Sequence, residues 1–378
     1  MNERIPLCIP WMGGAEFKMM KEAYDSGFVT PCGPMVDRFE KEISAKIKIP
    51  YAAAVCGGTA ALALIYRELG VKKGDVVFCS DLTFIASCGP AARMGAKLVF
   101  IDSDPKTWMM DVKLLGKALA DAKKARKLPK CVTAVDLYGQ CCDYDAIEKV
   151  CKKYNVPLVV DAAEALGATY KGRSAGDAGF ASAISFNGNK IITTSGGGMV
   201  LCRDEEIVKR ARKRSQQSRE GFIWYEHKEV GYNLRLSNVC AAIGIGQLKY
   251  LDKILAKKRA IFARYEKAFK GLLTGMPNAP YGNCSRWLSV FLVPTKAKDF
   301  TVVTPEVMKI IDGLKALNIE SRPVWKPMHL QPCFKGCKYY GTGVGDRYFA
   351  SGICLPSGMG LTVAQQSRVI KAVKSLVK

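Results

Sequence analysis

Histidine is nearly absent from this chain: His227 and His329 are the only two in 378 residues. A Ser-His-Asp triad or a multi-histidine metal centre is therefore poorly supported. No apolar run approaches the roughly 20 residues that a membrane span requires. The opening Met1-Asn-Glu-Arg-Ile-Pro-Leu also lacks the basic-then-apolar layout of a secretory signal, so a soluble, cytoplasmic protein is expected. The 15 cysteines are scattered, and the tightest groupings, Cys141-Cys142 and Cys333-x-x-x-Cys337, lack paired zinc-knuckle spacing. No metal is expected, and the thiols read as reduced and mostly buried. There is no internal repeat and no low-complexity tract.

What is present is a large apolar fraction and a strong positive charge. With 49% hydrophobic residues the chain can bury a sizeable core, and its length suggests one large domain plus a smaller one. The net charge of +23 favours an anionic partner, whether nucleic acid, an acidic membrane surface or a diphosphate, without choosing among them. Clusters at Lys123 to Lys127, Arg210 to Arg214 and Lys257 to Arg259 read as solvated helix faces. No aromatic-interleaved basic stripe appears, and no helix-turn-helix module precedes the first strand, so nucleic acid is not expected as a partner.

Seven short apolar runs alternate with amphipathic stretches: Tyr51 to Val55, Val76 to Cys79, Lys97 to Ile101, Cys131 to Val135, Val156 to Val160, Ala181 to Phe186 and Met199 to Cys202. This alternation predicts an α/β fold with a mainly parallel seven-stranded sheet flanked by helices. Helices are predicted at Thr59 to Leu69, Phe84 to Arg93, Asp111 to Lys123 and Asp143 to Tyr154. A long helical stretch runs from a cap at Ser237 towards Phe269 and bridges a large domain (1–248) to a small α+β domain (249–378). The small domain is expected to hold a strand at Trp287 to Val293, a helix at Thr304 to Leu317, an extended piece near Ser321 and a last helix at Thr362 to Val377. The longest loops are expected around Gln216 to Glu220 and Tyr340 to Gly345.

Ligands of parallel sheets collect beyond the carboxyl ends of the strands, and the polar candidates fall there. Asp161 closes one apolar strand, and Ser185 and Lys190 follow another, with the small residues Thr-Thr-Ser-Gly-Gly-Gly ending at Gly198 just beyond. A lysine that attacks an aldehyde must be partly desolvated so that its amine can lose a proton, and apolar residues before it with small ones after it give that setting. Gly57-Gly58-Thr59 stands between a strand and a helix, where free N–H groups and the helix dipole suit a phosphate. Pyridoxal 5'-phosphate asks for an amine, an anion beside its ring nitrogen, phosphate donors and a flat group against its ring. Lys190, Asp161, the glycine turn and Phe84 can supply all four.

At these residues the sequence resembles the DegT type of nucleotide-sugar aminotransferases, a fold-type-I pyridoxal phosphate family, over nearly its whole length. The likeness extends to Asp161-Ala-Ala-Glu-Ala-Leu-Gly167, the segment from Gly231 to Asn238, Ser321-Arg-Pro323, Met328-His-Leu330 and Cys354-Leu-Pro-Ser-Gly358. Ser185-Phe-Asn-Gly-Asn-Lys190 and Ser285-Arg-Trp-Leu-Ser289 look most like the transaminases of N-acetylbacillosamine synthesis, which act on a UDP-linked 2-acetamido-4-keto-2,4,6-trideoxyglucose.

The resemblance implies covalent attachment of the coenzyme to Lys190, ring-nitrogen pairing by Asp161, phosphate binding by Gly58, Thr59 and Ser185, and ring stacking by Phe84. It implies a homodimer in which Asn233 reaches the phosphate in the neighbouring subunit. Glu164 would stand beside the phenolic oxygen, where many relatives carry Gln or His, and a carboxylate there is repulsive unless one partner holds a proton or water intervenes. Cys56-Gly57 replaces the Asn-Ser common in relatives, leaving backbone N–H groups and Thr59 to bind phosphate. Arg322 and His329 are candidates for holding substrate, and Trp11-Met12-Gly13 and Thr30-Pro31 for bordering its nucleotide. The implied reaction moves an amino group from L-glutamate to C4 of the ketosugar, with Lys190 shuttling the proton. Alternatives are a 3-keto or other nucleotide-linked sugar, or a non-catalytic pyridoxal phosphate-sensing regulator. A sugar dehydratase on this scaffold would need the anchoring lysine replaced, and a cysteine desulfurase would usually carry a histidine where Asn189 stands.

Overall fold

The computed structural model describes residues 3–377. All seven predicted runs form strands: β1 (Tyr51–Val55), β2 (Val76–Ser80), β3 (Lys97–Ile101), β4 (Cys131–Val135), β5 (Leu158–Asp161), β6 (Ala181–Ser185) and β7 (Gly198–Cys202). They lie in one sheet with an eighth strand, β8 (Lys338–Tyr340), in the order β1-β7-β6-β5-β4-β2-β3-β8. Only β7 runs against its neighbours; the pairings from β6 to β8 are all parallel. Apolar side chains fill both faces, as expected of a sheet covered by helices on each side.

Local chemistry explains the flanking helices. Val112–Lys124 starts where the Asp111 carboxylate accepts from the N–H groups of Lys113 and Leu114, and Tyr144–Lys153 where Asp143 accepts from Ala146. The helix predicted over 84–93 is instead a single 3₁₀ turn, Ile85–Ser87, followed by a short helix, Gly89–Arg93. Pro90 lacks the N–H that a continuous helix would need, and Phe84 is held extended. The predicted long bridging helix is two, Asn238–Leu248 and Leu251–Ala268. The chain turns at Tyr250, whose hydroxyl donates to the Gly13 carbonyl at 2.8 Å.

Two helices not anticipated from the sequence, Ala15–Asp25 and Pro34–Ile47, pack on Asn238–Leu248. A Cβ on Gly246 would fall 2.5 Å from the Glu16 Cα, so only glycine admits that approach. Val344–Ser351 is a further addition, while Glu205–Ser215 carries the Arg210 to Arg214 cluster read as a solvated helix face; Arg212 and Arg214 turn inward instead, to Glu40 and Glu68. Beyond the long helix lies a four-stranded antiparallel sheet in the order Thr274–Gly275, Ser289–Leu292, Gly352–Leu355, Arg322–Pro323. It is covered by Pro305–Ala316 and Val363–Val377 over a core of its own. Among the described residues no helix is long and apolar enough to cross a membrane, and all fifteen cysteines are free thiols.

Candidate active site

The reversal of β7 brings the loop after β6 back over the sheet, and that loop carries Lys190. Gly198, the first residue of β7, pairs with both Val55 and Ser185. A Cβ there would stand 2.4 Å from the Gly57 carbonyl carbon, so glycine lets the turn before the helix Gly58–Glu68 settle against the strand end. No side chain caps that helix, and its first N–H groups face a cavity of about 320 Å³.

Gly58, Thr59, Phe84, Asp161, Glu164, Ser185 and Lys190 all line this cavity. Asp161 closes β5 and is buried; its carboxylate accepts from the Ser87 hydroxyl at 2.6 Å and the Ala163 N–H at 3.1 Å. Burial pushes its pKa above the ordinary value, against those two bonds and the charge of Lys190. Glu164 is also buried, and it too is raised by burial and by the charge of Asp161, while Lys190 and the Tyr138 N–H pull the other way. Its Oε1 lies 3.4 Å from the Lys190 Nζ and its Oε2 accepts from the Tyr138 N–H at 2.8 Å.

Two buried carboxyls therefore face one amine. Two acidic groups and an amine beside an uncapped helix start match a ligand with a basic ring nitrogen, an anionic phosphate and an aldehyde. The residues fit pyridoxal phosphate, which when bound supplies a conjugated sink for the electrons released at an amino-bearing carbon.

An aromatic wall that sequence reasoning missed completes the cavity. Trp287 and Trp325 both line it, and Tyr138 stacks on each, with ring centroids 6.1 and 6.2 Å apart. Phe84, 48% exposed, tilts against Trp325 at 5.3 Å. Ser87 was missed as well, hidden inside a predicted helix. The available signal was tryptophan itself, with only 5 in the chain. Thr83, Phe84, Asn189, Trp287 and Trp325 are shared with a second cavity of about 720 Å³, where Arg322, Glu320, Lys326 and Gln331 add polar groups. Arg322 is exposed there and pairs with Glu320 at 3.2 Å.

Asn233, His329, Trp11, Met12, Gly13, Thr30 and Pro31 line neither of these two cavities. Asn233 is exposed on the loop that follows Glu205–Ser215. His329 is turned into the protein: its Nδ1 is 2.7 Å from an Asp81 carboxylate oxygen, its Nε2 faces Asp346 at 3.5 Å, and its ring stacks on Tyr339.

A fold-type-I sheet with this amine and these carboxyls at its strand ends defines a pyridoxal phosphate-dependent aminotransferase. Residues 10–374 match the DegT/DnrJ/EryC1/StrS aminotransferase family, to which the chain belongs. EpsN of Bacillus subtilis (strain 168), assigned as a pyridoxal phosphate-dependent aminotransferase, is 43% identical over 100% of this chain and 96% of its own length. A GDP-perosamine synthase from Caulobacter vibrioides is 32% identical over 99% of this chain and 98% of its own. Spr1654 from Streptococcus pneumoniae, assigned as a sugar aminotransferase, superposes in its PLP form with a TM-score of 0.90 at 26% identity, covering 99% of each chain. The protein is thus a nucleotide-sugar aminotransferase that uses pyridoxal phosphate.

Proposed function

We propose that this enzyme moves an amino group from L-glutamate to the C4 keto carbon of a UDP-linked 2-acetamido-4-keto-2,4,6-trideoxyhexose, giving UDP-4-amino-4,6-dideoxy-N-acetylglucosamine for N-acetylbacillosamine synthesis and protein glycosylation. The observation that carries the chemistry is the meeting of Lys190, Asp161 and Glu164 in one cavity that shares five lining residues with a larger one. The choice of a UDP-linked 4-ketosugar rests on the likeness of Ser185-Phe-Asn-Gly-Asn-Lys190 and Ser285-Arg-Trp-Leu-Ser289 to transaminases of that pathway.

In this reading Lys190 would hold the coenzyme through its aldehyde, and its amine would hold and move the proton at the amino-bearing carbon of the substrate. Asp161, held by Ser87 and Ala163, accepts from the ring nitrogen and keeps it protonated. Gly58, Thr59 and Ser185 would hold the phosphate, Phe84 would cover the ring, and Glu164 would meet the phenolic oxygen with a proton between them. Arg322 reaches an anionic part of the substrate, while His329 shapes the loop that borders the second cavity.

The functional unit is a homodimer, with Asn233 entering the partner's phosphate site. Supporting this, the loop before Asn233 exposes Ile223, Trp224, Tyr225 and Val230, with Ile223 at 96%, an apolar display typical of a surface that a second protein covers. Fifteen free thiols favour a reducing, cytoplasmic setting.

The test is a panel of UDP-, dTDP- and GDP-linked 3-keto and 4-keto sugars, offered with glutamate to the pure holoenzyme, with the aminated carbon located by NMR. Amination of the UDP-linked 4-ketosugar alone is expected. Reaction only with a 3-ketosugar removes the C4 assignment. Preference for a GDP-linked sugar, favoured by the likeness to GDP-perosamine synthase, removes the UDP assignment.

A further inference from the structure

Lys190 rests on an indole. Its Nζ lies 3.8 Å from the centroid of the Trp287 ring, and the Trp287 Nε1–H donates at 2.6 Å to the carbonyl of Asn189, the residue just before Lys190. The Cys8 thiol donates to the same carbonyl at 3.4 Å. One aromatic side chain thus touches Lys190 twice, through the amine and through the peptide that carries it.

The Trp287 backbone is itself pinned. The carbonyl of Trp287 accepts from the Lys258 Nζ at 3.0 Å, and that ammonium also donates to the Ser357 carbonyl at 3.0 Å and lies 3.6 Å from the Cys8 sulfur. Lys258 is 2% exposed, and these partners are all neutral. A buried ammonium held only by neutral acceptors is costly, and an apolar residue would fill the space with less strain on stability. The cost falls where one cation fixes both donors that clamp Asn189.

We propose that Trp287 is a positioning residue for Lys190, fixing its backbone through Asn189 and holding its charged amine against the ring face, with Lys258 anchoring the Trp287 backbone and Cys8. A ring face at this distance favours the cation. An amine that must carry a proton between two atoms gains from being held at one place in that form. The inference rests on Lys190 being the residue that bonds the coenzyme. Peptide mapping of the borohydride-fixed adduct decides that point separately from everything below.

The experiment compares the holoenzyme with Trp287→Phe, which keeps a ring but loses the N–H, Trp287→Leu, which loses both, and Lys258→Met. The readouts are the pH titration of the coenzyme's visible absorption, the pH profile of kcat, and KM for glutamate. Trp287→Leu should move the titration to lower pH by about one unit and lower kcat about tenfold or more, with KM changed about twofold at most. Trp287→Phe should keep the titration near its wild-type position while kcat still falls. Lys258→Met should follow Trp287→Leu in direction with a smaller shift. If Trp287→Leu binds coenzyme with an unmoved titration and pH profile, even at a reduced Tm, Trp287 is merely structural and the proposal fails. Should that variant not fold, a wild-type kcat in Trp287→Phe would equally overturn the clamp on Asn189.

Discussion

The Ser87 hydroxyl donates to the Asp161 carboxylate at 2.6 Å, and the two residues are 74 positions apart in the chain. The same hydroxyl meets Thr83 Oγ1 at 2.7 Å, while the Ser87 carbonyl accepts from Tyr66. Burial raises the Asp161 pKa, and the Ser87 hydroxyl, a donor that cannot move with solvent, opposes that rise. Ser87→Ala removes that donor, so Asp161 should take up a proton more readily and bind a cationic ring nitrogen less well. Coenzyme affinity is expected to fall about ten- to a hundredfold, for a hydrogen bond to a charged group worth about 1.5–3 kcal/mol. Fluorescence titration with pyridoxal phosphate measures it, and wild-type affinity would show that Ser87 does not support Asp161.

Lys190→Ala should abolish the borohydride-fixed adduct and lower amino transfer about a thousandfold, while Asp161→Asn should fold and turn over slowly. A Lys190→Ala enzyme at near-normal rate would contradict the assigned chemistry. Single-turnover absorbance with glutamate distinguishes the two variants.

Stability should vary with pH through His329. Burial opposes its charge, but the Asp81 bond and the nearby Asp81, Asp346 and Asp102 carboxylates outweigh burial and raise its pKa above 6.5. The folded state thus binds the His329 proton more tightly than the unfolded chain does. The stabilisation is complete below 6.5 and is lost as pH rises through the raised value. Asp346, pushed up to about 6 by burial, adds a loss of the same sign between 3.8 and about 6. Tm should fall from pH 6 to pH 9 more steeply in the wild type than in His329→Gln; equal slopes would rule out His329 as the source.

Glu40 is buried between two arginines, 2.7 Å from Arg235 and 2.8 Å from Arg212, and also accepts from the Ala54 N–H of β1. Glu40→Ala leaves the buried Arg235 unpaired against the sheet. Denaturant unfolding should show a loss of about 3–5 kcal/mol, and a loss under about 1 kcal/mol would mean that water or a moved side chain replaces the carboxylate.

Placing a charge on the exposed apolar loop tests the dimer. If the proposed homodimer shares its sites through Asn233, Ile223→Asp should shift sedimentation towards the monomer and weaken coenzyme retention together. A monomeric wild type would remove the shared-site reading.

The seven strands were legible because each is a short apolar run closed by turn residues, and the site residues Asp161, Ser185 and Lys190 follow from strand ends alone. The chain also carried a readable sign of the helix Pro34–Ile47, with Pro34 in its first turn and Phe39, Ile43 and Ile47 four apart. Ala15–Asp25 was harder to see, since its start is closed by Glu16 reaching back to Gly13 and Gly14 rather than by a residue at the cap. Rarity was the one sign that marked Trp287 and Trp325, while Ser87 and Tyr138 carried none, because each of the four acts through a partner more than twenty positions away. The eighth strand was hidden by its brevity and its leading lysine, and Lys338 is a common edge residue that weakens any strand pattern.

That eighth strand limits how the protein can be taken apart. Lys338–Tyr340 seals the β3 edge of the catalytic sheet, although it comes from far along the chain. A chimaera made by a single crossover after the helix Asn238–Leu248 would hand the sheet a foreign border, or leave it bare and prone to self-association. Exchanging sugar specificity between relatives by recombination therefore calls for two junctions on either side of the strand, so that residues 338–340 travel with the sheet they close.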